Sequence, residues 1–478
     1  MNNKFFQYIY IFYGRIILVL LFAGFYLSCA NQLPPSGGED DKIPPKIITS
    51  EPLNNTLNYK NNFIYFEFDE YVDRRSFEES FFISPKPKGK KEFDWNGKSV
   101  RVIFSEGFLM NSTYNVVISK GLKDIRAGNQ LTAPINFAFS TGNMLDISSL
   151  AGKVYAENYK NVYVVAYILN KNSDTMYNPS KFPADYITQT DEKGFYKLNN
   201  LPVGNYRIFA LKDNDNNLLY DKDFDEISVL PDDIKISDSL SLSNVNFLLL
   251  DIEKKFSCTD YQNFYPVDSS GLLYSNLRNN DAEIPNDLKF YFYFKSGLIN
   301  KYDLAENLTL INFQTNENIK LVFNWLSDTL VELILNEHLL NLTNYKFNLE
   351  IKNSNIKFLN YITFKTAGER KYVKLSGFVE NFSVKNNPVN IYLYNSDKIF
   401  IQYKFQAISD STFFFKNVYD GNYLLFAFLN PENINTYKKG KPYPYVPSDE
   451  FIYIDEPIKL KGGMSINLFR LRLGSFGN

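Results

Sequence analysis

Apolar and polar residues alternate along several short segments of the chain, with a repeat of two residues. The segments are FIYFEF (63–68), SVRVIF (99–104) and YNVVIS (114–119) and, further along, LKFYFYF (288–294), TLVELIL (329–335) and YKFNLEI (345–351). Successive side chains of a strand point to opposite faces, so this repeat predicts sheets with one buried face. No segment keeps the sustained 3.6-residue repeat of the long helices in an α/β enzyme. The sequence therefore predicts an all-β protein of tandem β-sandwiches.

The same short motifs occur twice in the same order, which indicates a tandem duplication. The only two tryptophans lie 230 residues apart, in FDW (93–95) and FNW (323–325). Further pairs are YFEF (65–68) and YFYF (291–294), FST (139–141) and FKT (364–366), LAGKV (150–154) and LSGFV (375–379), and GNYRIFA (204–210) and GNYLLFA (421–427). Because Trp95 and Trp325 recur at one position, we interpret both as packing residues. Each repeat has two halves, which gives four modules.

The first half of each repeat covers residues 44–143 and 256–368. In the first copy, Pro44 and Pro45 open the segment PPKIITSEPLNNT, an aromatic strand FIYFEFDEYVD follows, and FFISP ends in Ser-Pro. This pattern resembles the bacterial Ig-like domain of surface proteins, and the resemblance implies an Ig-like sandwich. The second copy lacks the Pro-Pro and Ser-Pro motifs, so its assignment follows from the duplication.

The second half covers residues 149–250 and 372–473. It carries Gly152, the hairpin TDEKGF (190–195) and LPVGNY (201–206), and the second copy keeps Gly377 and GNY. These motifs resemble the prealbumin-like sandwich of collagen-adhesin B-type and carboxypeptidase-regulatory domains. The resemblance implies Ig-like and prealbumin-like modules in alternation. We expect the four modules to form a semi-rigid rod or arch.

The N-terminus carries Lys4 and Arg15, and a 12-residue apolar run, Ile16–Leu27, precedes Ser28 and Cys29. A signal-peptide core needs about 7–15 apolar residues and a membrane span about 20, so a signal peptide is favoured over an uncleaved anchor. The motif YLSC (26–29) resembles the lipobox of bacterial lipoproteins. This resemblance implies a signal peptide of residues 1–28, fatty acyl chains such as palmitate on Cys29, and a flexible tether over residues 29–43.

An acidic run, Glu39-Asp40-Asp41, lies ten residues past Cys29. It resembles the surface-export signal of Bacteroidota lipoproteins. The resemblance implies a lipid-anchored outer-membrane protein, with the cell surface favoured over the periplasmic face.

Composition excludes several function classes. The chain has 35 Tyr and 43 Phe but 2 Trp and 5 Met, which favours β structure. A net charge of −2 without a basic stripe argues against a nucleic-acid partner. His338 is the only histidine, and Cys29 and Cys258 are the only cysteines, so a His-based metal site is excluded and few catalytic arrangements remain. We predict that the protein is not an enzyme and has no cofactor other than calcium.

The calcium prediction rests on the segment DNDNNLLYDKDFDE (213–226). Asp213, Asp215, Asn217 and Asp221 match positions 1, 3, 5 and 9 of a calcium loop, whose alternating oxygen ligands converge on a hard cation. Leu218, however, stands where glycine is usual, and Phe224 replaces the bidentate Glu at the loop's end. In a different loop conformation, Asp223, Asp225 or Glu226 could substitute for that Glu. A solvated acidic turn is the alternative.

The equivalent segment of the second copy, NPENINTYKKGKPYPY (430–445), has lost these carboxylates. It interleaves lysines with Tyr437, Tyr443 and Tyr445, which predicts a surface that binds a protein or a glycan by stacking. A proline-rich solvated loop is the alternative.

Taken together, these features favour a non-enzymatic scaffold or accessory subunit that docks on another envelope protein, for example a β-barrel complex. The alternative is a surface adhesin that binds glycans or an extracellular matrix.

Overall fold

The computed structural model describes residues 13–14, 40–169, 177–238, 240–267, 271–295, 301–353, 356–369, 372–381, 387–398, 401–434 and 436–474. The predicted lipidation residue, Cys29, lies outside the described residues, as does almost all of the predicted signal peptide. Strands dominate and the helices are short, so the all-β prediction is confirmed. Among the described residues, no helix combines the length and apolarity needed to cross a bilayer.

The first module is a sandwich of two sheets and one short helix. Its elements are β1 (Ile47–Glu51), β2 (Phe63–Phe68), α1 (Arg74–Ser80), β3 (Phe81–Ser84), β4 (Lys91–Asn96), β5 (Ser99–Phe104), β6 (Thr113–Ile118) and β7 (Ile135–Ser140). The strand orders are β1-β2-β5-β4 and β3-β6-β7. In β2, Ile64, Phe66 and Phe68 are buried and Glu67 is exposed, as the alternation predicts.

The third module repeats this arrangement with additional strands. Its elements are β17 (Tyr265–Pro266), β18 (Leu273–Ser275), β19 (Asp281–Ile284), β20 (Phe290–Phe294), α3 (Lys301–Asn307), β21 (Leu308–Asn312), β22 (Asn318–Ile319), β23 (Leu321–Trp325), β24 (Leu330–Leu335), β25 (Asn344–Asn353) and β26 (Ile356–Thr366). The strand orders are β17-β18-β20-β24-β23 and β19-β26-β25-β21-β22. In both the first and the third module, the strand that carries the tryptophan, β4 or β23, lies at the edge of one sheet.

Two buried tyrosines show that the duplication extends to individual hydrogen bonds. The Tyr114 hydroxyl accepts a bond from the Leu109 N–H at 2.7 Å, and the Tyr345 hydroxyl accepts one from the Leu340 N–H at 2.9 Å. Each tyrosine lies near the start of its strand and fixes the loop that precedes it. The same backbone tip is thus held in the same way in both copies.

The second and fourth modules share a different topology. The second contains β8 (Ser148–Tyr155), β9 (Val162–Ile168), β10 (Tyr186–Gln189), β11 (Phe195–Leu201), β12 (Gly204–Lys212), β13 (Glu226–Val229), β14 (Ile234–Ile236), β15 (Ser241–Leu242) and β16 (Phe247–Leu248), followed by the linker helix α2 (Ile252–Lys255) and a 3₁₀ turn (Tyr261–Asn263). The fourth contains β27 (Val373–Asn381), β28 (Pro388–Asn395), β29 (Gln402–Ile408), β30 (Ser411–Val418), β31 (Gly421–Leu429), β32 (Phe451–Leu460) and β33 (Ser465–Leu473).

Their sheets correspond strand by strand. The order β10-β9-β12-β13 in the second module matches β29-β28-β31-β32 in the fourth, and β11-β8-β15 matches β30-β27-β33. In both modules the last strands run parallel to the first, because β15 and β16 pair with β8 and β33 pairs with β27. The internal repeat therefore extends over both halves.

The central strands of these two modules do not alternate. Nearly every residue of β9, β12, β28 and β31 is buried. A sheet that is apolar on both faces needs a cover on its outer face as well as a core on its inner face.

We predict that removing the hydroxyl of Tyr114 or of Tyr345, which make the same hydrogen bond in the two copies, destabilises the module that contains it. Tyr114→Phe and Tyr345→Phe each remove one buried hydrogen bond and leave a backbone N–H without its partner, so each should lower the free energy of unfolding by about 1–2 kcal/mol. Urea titration of the full chain measures this loss. Tyr65→Phe, in the partly exposed position of β2, is the matched control. An equal loss in the control would contradict the assigned role.

Candidate functional site

The outer faces of the second and fourth modules are covered by contacts between modules. One apolar cluster joins the end of the second module and its linker to the fourth module, and consists of Tyr155, Leu248, Leu250, Ile252, Phe256, Tyr394, Leu424, Phe426, Phe428, Tyr437 and Tyr453. A second cluster lies on the second module's outer face, where Phe82 of the first module and Tyr445 of the fourth pack against Tyr163, Val165, Tyr167, Tyr177, Phe209 and Val229. The chain therefore folds back on itself.

The loop between β31 and β32 (residues 430–450) takes part in both clusters. Tyr437 is 9% exposed, and its ring centroid lies 5.7 Å from that of Phe426 in an edge-to-face contact. Its N–H donates to Oε1 of Glu253, in the linker helix α2, at 2.7 Å. Lys439 forms an ion pair of 2.7 Å with Asp251, at the start of the same helix. This end of the loop binds the linker between the modules.

The other end of the loop binds the second module itself. The Tyr445 ring centroid lies 3.9 Å from the guanidinium carbon of Arg207, and the Tyr445 hydroxyl donates to the Leu230 carbonyl at 3.1 Å. Asp233 fixes the orientation of the Arg207 guanidinium, whose Nε and Nη2 donate to the two carboxylate oxygens at 2.9 and 2.8 Å. Because Arg207 is 8% exposed, its guanidinium is largely shielded from water, while Asp233 and Tyr445 are partly buried.

The structure corrects the binding surface predicted from the sequence. Tyr437 and Tyr445 contact other parts of this chain, so they are not free to stack on an external protein or glycan. Tyr443, at 42% exposed, is the one of the three that faces solvent. Sequence reasoning missed the interface, although the unbroken apolar runs VYVVAYI and YLLFAFL were a signal that these sheets are covered on both faces.

The acidic loop occupies the corresponding position in the second module, after β12. Asp213, Asp215 and Asp225 place carboxylate oxygens within 4.8 Å of one another. Asp225, one of the three substitutes that the sequence offered, belongs to this cluster, whereas Asp221 lies outside it and donates its N–H to Asp225 at 2.9 Å. Asn217 turns its amide oxygen to the N–H of Leu219, and its NH₂ donates to Asp215.

Asp213 is fully buried in this cluster. Its carboxylate accepts bonds from the N–H groups of Asn217 and Leu218, at 3.3 and 2.9 Å. Burial raises the pKa of Asp213 to about 6, and the neighbouring carboxylates of Asp215 and Asp225 act in the same direction. Leu218 has a φ of 60°, so it adopts the left-handed conformation for which a glycine is usual at this position.

Comparisons with known proteins identify the fold of the first module. Residues 41–141 match the bacterial Ig-like domain, which confirms that resemblance for this module. Ig-like modules of this kind are typical of surface and cell-envelope proteins. No curated protein matches the chain.

Solved structures give only distant similarity. The Bacillus anthracis TIE protein is 12% identical, with 92% of this chain and 76% of that chain covered and a TM-score of 0.17. An L,D-transpeptidase from Mycobacterium smegmatis is 14% identical, with 35% and 76% covered and a TM-score of 0.16. Escherichia coli alpha-2-macroglobulin is 9% identical, with 87% and 34% covered and a TM-score of 0.17. Scores this low support no argument about function.

We predict that Tyr437→Ala weakens the contact between the second and fourth modules. Removing a buried ring from an apolar cluster should cost about 3 kcal/mol or more. Urea unfolding measures the loss, and small-angle X-ray scattering measures the expected increase in radius of gyration. Tyr443→Ala, in the same loop but exposed, is the control and should change neither quantity. Equal effects of the two variants would contradict the interface.

We predict that Asp213 makes stability depend on pH. Its pKa of about 6 lies above the value near 4 of an unfolded chain, so the folded state holds the proton more tightly and loses stability as pH rises through this window. Between pH 5 and 7 the wild type should lose about 1 kcal/mol relative to Asp213→Asn. Urea unfolding with a calcium chelator measures the difference, and a pH-independent difference would contradict it.

Calcium binding by this loop stays a prediction of the sequence. If the cluster binds Ca²⁺, added calcium at pH 7 should raise the melting temperature of the wild type but not of Asp215→Asn. The control is Asp232→Asn, which removes an exposed carboxylate outside the cluster. An equal calcium effect in all three proteins would show that the ion acts elsewhere.

Proposed function

We propose that the protein is a lipid-anchored outer-membrane protein, attached through Cys29 and favoured to face the cell surface, that docks on another envelope protein as a scaffold or accessory subunit. A β-barrel complex of the outer membrane is one such partner. The match to a bacterial Ig-like domain supports a location in the cell envelope. The lipid anchor rests on the sequence motif that ends in Cys29, and the second and fourth modules are proposed to be prealbumin-like.

The observation that carries the docking proposal is a pair of exposed apolar tips. Leu109 and Met110 form the tip of the first module and are 44% and 85% exposed, and Leu340 and Leu342 form the tip of the third and are 63% and 62% exposed. The tyrosine hydroxyl bonds described above hold the two tips in the same conformation. Leu109 and Leu340, whose N–H groups make these bonds, occupy matched positions of the two copies, and exposed apolar side chains at both tips suit an apolar partner surface.

The contacts between modules support a scaffold role. The second and fourth modules are joined by two apolar clusters, and the ion pair between Lys153 and Asp455, at 2.5 Å, adds a polar contact. The third and fourth modules are joined by the Tyr419 hydroxyl, which donates to Asp287 at 2.8 Å. A body held together in this way keeps its two tips at a fixed separation, so that a partner can contact both at once.

We propose that this role is not enzymatic. The single histidine, His338, is exposed in the loop that follows β24. Burial raises the pKa of the Cys258 thiol, which lowers its thiolate fraction and therefore its reactivity. Neither residue has the environment of an activated base or nucleophile.

Affinity purification of the tagged full chain from detergent-solubilised outer membrane tests the proposal. We expect one stoichiometric membrane-protein partner, and we expect about a tenfold loss of that partner from the double variant Met110→Asp, Leu340→Asp, because charges would then be buried at the contact. Val203→Asp changes an equally exposed apolar residue of the second module and is the control.

Two outcomes would contradict the proposal. If the variant Met110→Asp, Leu340→Asp still retains the partner, the tips are not part of the interface. If mass spectrometry of the purified protein shows an unmodified Cys29 thiol with residues 1–28 still attached, Cys29 carries no lipid anchor.

A further inference from the structure

A cleft lies where the first, second and fourth modules meet. Its main cavity has a volume of about 740 Å³ and is lined by residues of β8 and β11, by Asn136 of β7, and by residues 453–456 of β32. A smaller cavity of about 190 Å³ between the first and second modules shares Asn136, Thr188 and Lys197 with it. The combined size is that of a ligand site, and junctions between domains are common places for one.

The walls of this junction cleft are fixed by polar contacts between the modules. The Asn115 NH₂ donates to the Asn199 carbonyl at 2.6 Å, and the Lys120 N–H donates to the Gln189 side chain at 2.7 Å. On the far side, the ion pair between Lys153 and Asp455 joins β8 to β32. A cleft held open in this way binds a ligand without first having to order its own walls.

Three edge strands, β7, β10 and β11, border the cleft, which raises the question of whether an extended peptide could add to one of them. Such strand addition needs a run of free backbone groups. On β7, both backbone groups of Ala138 are already bonded, to Asn54 and Asn55. On β11, both backbone groups of Phe195 are bonded to Asp191. The β7 and β11 edges are therefore interrupted at these residues, which favours recognition by side chains there.

The side chains in the cleft suit a sugar. Amide groups such as those of Asn136 and Asn244 both donate and accept hydrogen bonds, as sugar hydroxyls do. The Phe195 side chain is 52% exposed and the Lys153 Nζ lies 5.3 Å from its ring centroid, so a pyranose would stack its C–H face on the exposed part of the ring beside Lys153. Lys153 and Lys197 are balanced by two acidic residues of β32, so the lining does not select a strongly charged ligand.

The floor of the cleft contains a polar group that lacks a protein partner. Thr188 lines both cavities and is 1% exposed, and its hydroxyl has no hydrogen-bond partner among the described residues. A buried hydroxyl without a partner is destabilising, and a polar ligand group that bonds to it would offset that loss.

We propose that the junction cleft binds an uncharged oligosaccharide, with Phe195 stacking on one sugar ring and the amide side chains bonding its hydroxyls. This site is separate from the exposed tips, and it does not depend on the docking proposal. It also does not use the tyrosines of the β31–β32 loop.

Isothermal titration of the full chain with maltoheptaose and with tetra-N-acetylchitotetraose tests the proposal. We expect saturable one-site binding of at least one of them, weakened about tenfold or more by Phe195→Ala, because one stacked ring contributes about 1.4 kcal/mol. The matched control is Phe414→Ala. Phe414 lies on β30, the counterpart of β11 in the fourth module, and is 47% exposed.

Absence of binding by both sugars at millimolar concentration would overturn the proposal. An equal loss of affinity in the two phenylalanine variants would also overturn it, since the sugar would then bind elsewhere. Thermal unfolding of each variant shows whether it is folded, and Phe195→Tyr, which keeps the ring, should restore binding if Phe195→Ala alone is misfolded.

Discussion

Strands that are apolar on both faces have to be covered twice, and this constraint determines how the modules of this protein pack. In β9, β12, β28 and β31 the inner face fills the core of a sandwich, while the outer face carries large side chains such as Tyr167 and Phe426. Leaving those faces in water would forfeit about 25 cal/mol for each Å² of apolar surface. The second and fourth modules reduce this cost by packing together, with the linker helix α2 between them.

The loop that follows β12 in the second module corresponds to the loop that follows β31 in the fourth module, and the two copies have diverged. In the second module the loop is acidic, and its own backbone N–H groups donate to the buried carboxylate of Asp213. In the fourth module the same loop has exchanged carboxylates for tyrosines and lysines, and it reaches across to Arg207 and Asp251. One copy is thus closed on itself, and the other connects two modules.

Packing between modules also determines which surfaces remain for partners. The tips of the two Ig-type sandwiches, with Met110 and Leu340 exposed, lie at loop ends that the internal clusters do not use. The junction cleft exists only because three modules meet around Phe195 and Thr188. The protein can therefore offer two distinct kinds of contact, an apolar one at its tips and a polar one at the junction.

Features that depend on neighbouring residues could be predicted from the amino-acid sequence alone. Period-two alternation identified strands such as β2 and β5, repeated motifs revealed the duplication, and alternate aspartates located the acidic loop, because each of these signals is local. Other features depend on contacts between distant parts of the chain. The tertiary structure brought Asp225 rather than Asp221 to the carboxylate cluster, and it buried Tyr437 and Tyr445 in an interface. Spacing along a chain does not show which way a loop turns or which module covers a sheet, since both depend on contacts between residues that are far apart in sequence.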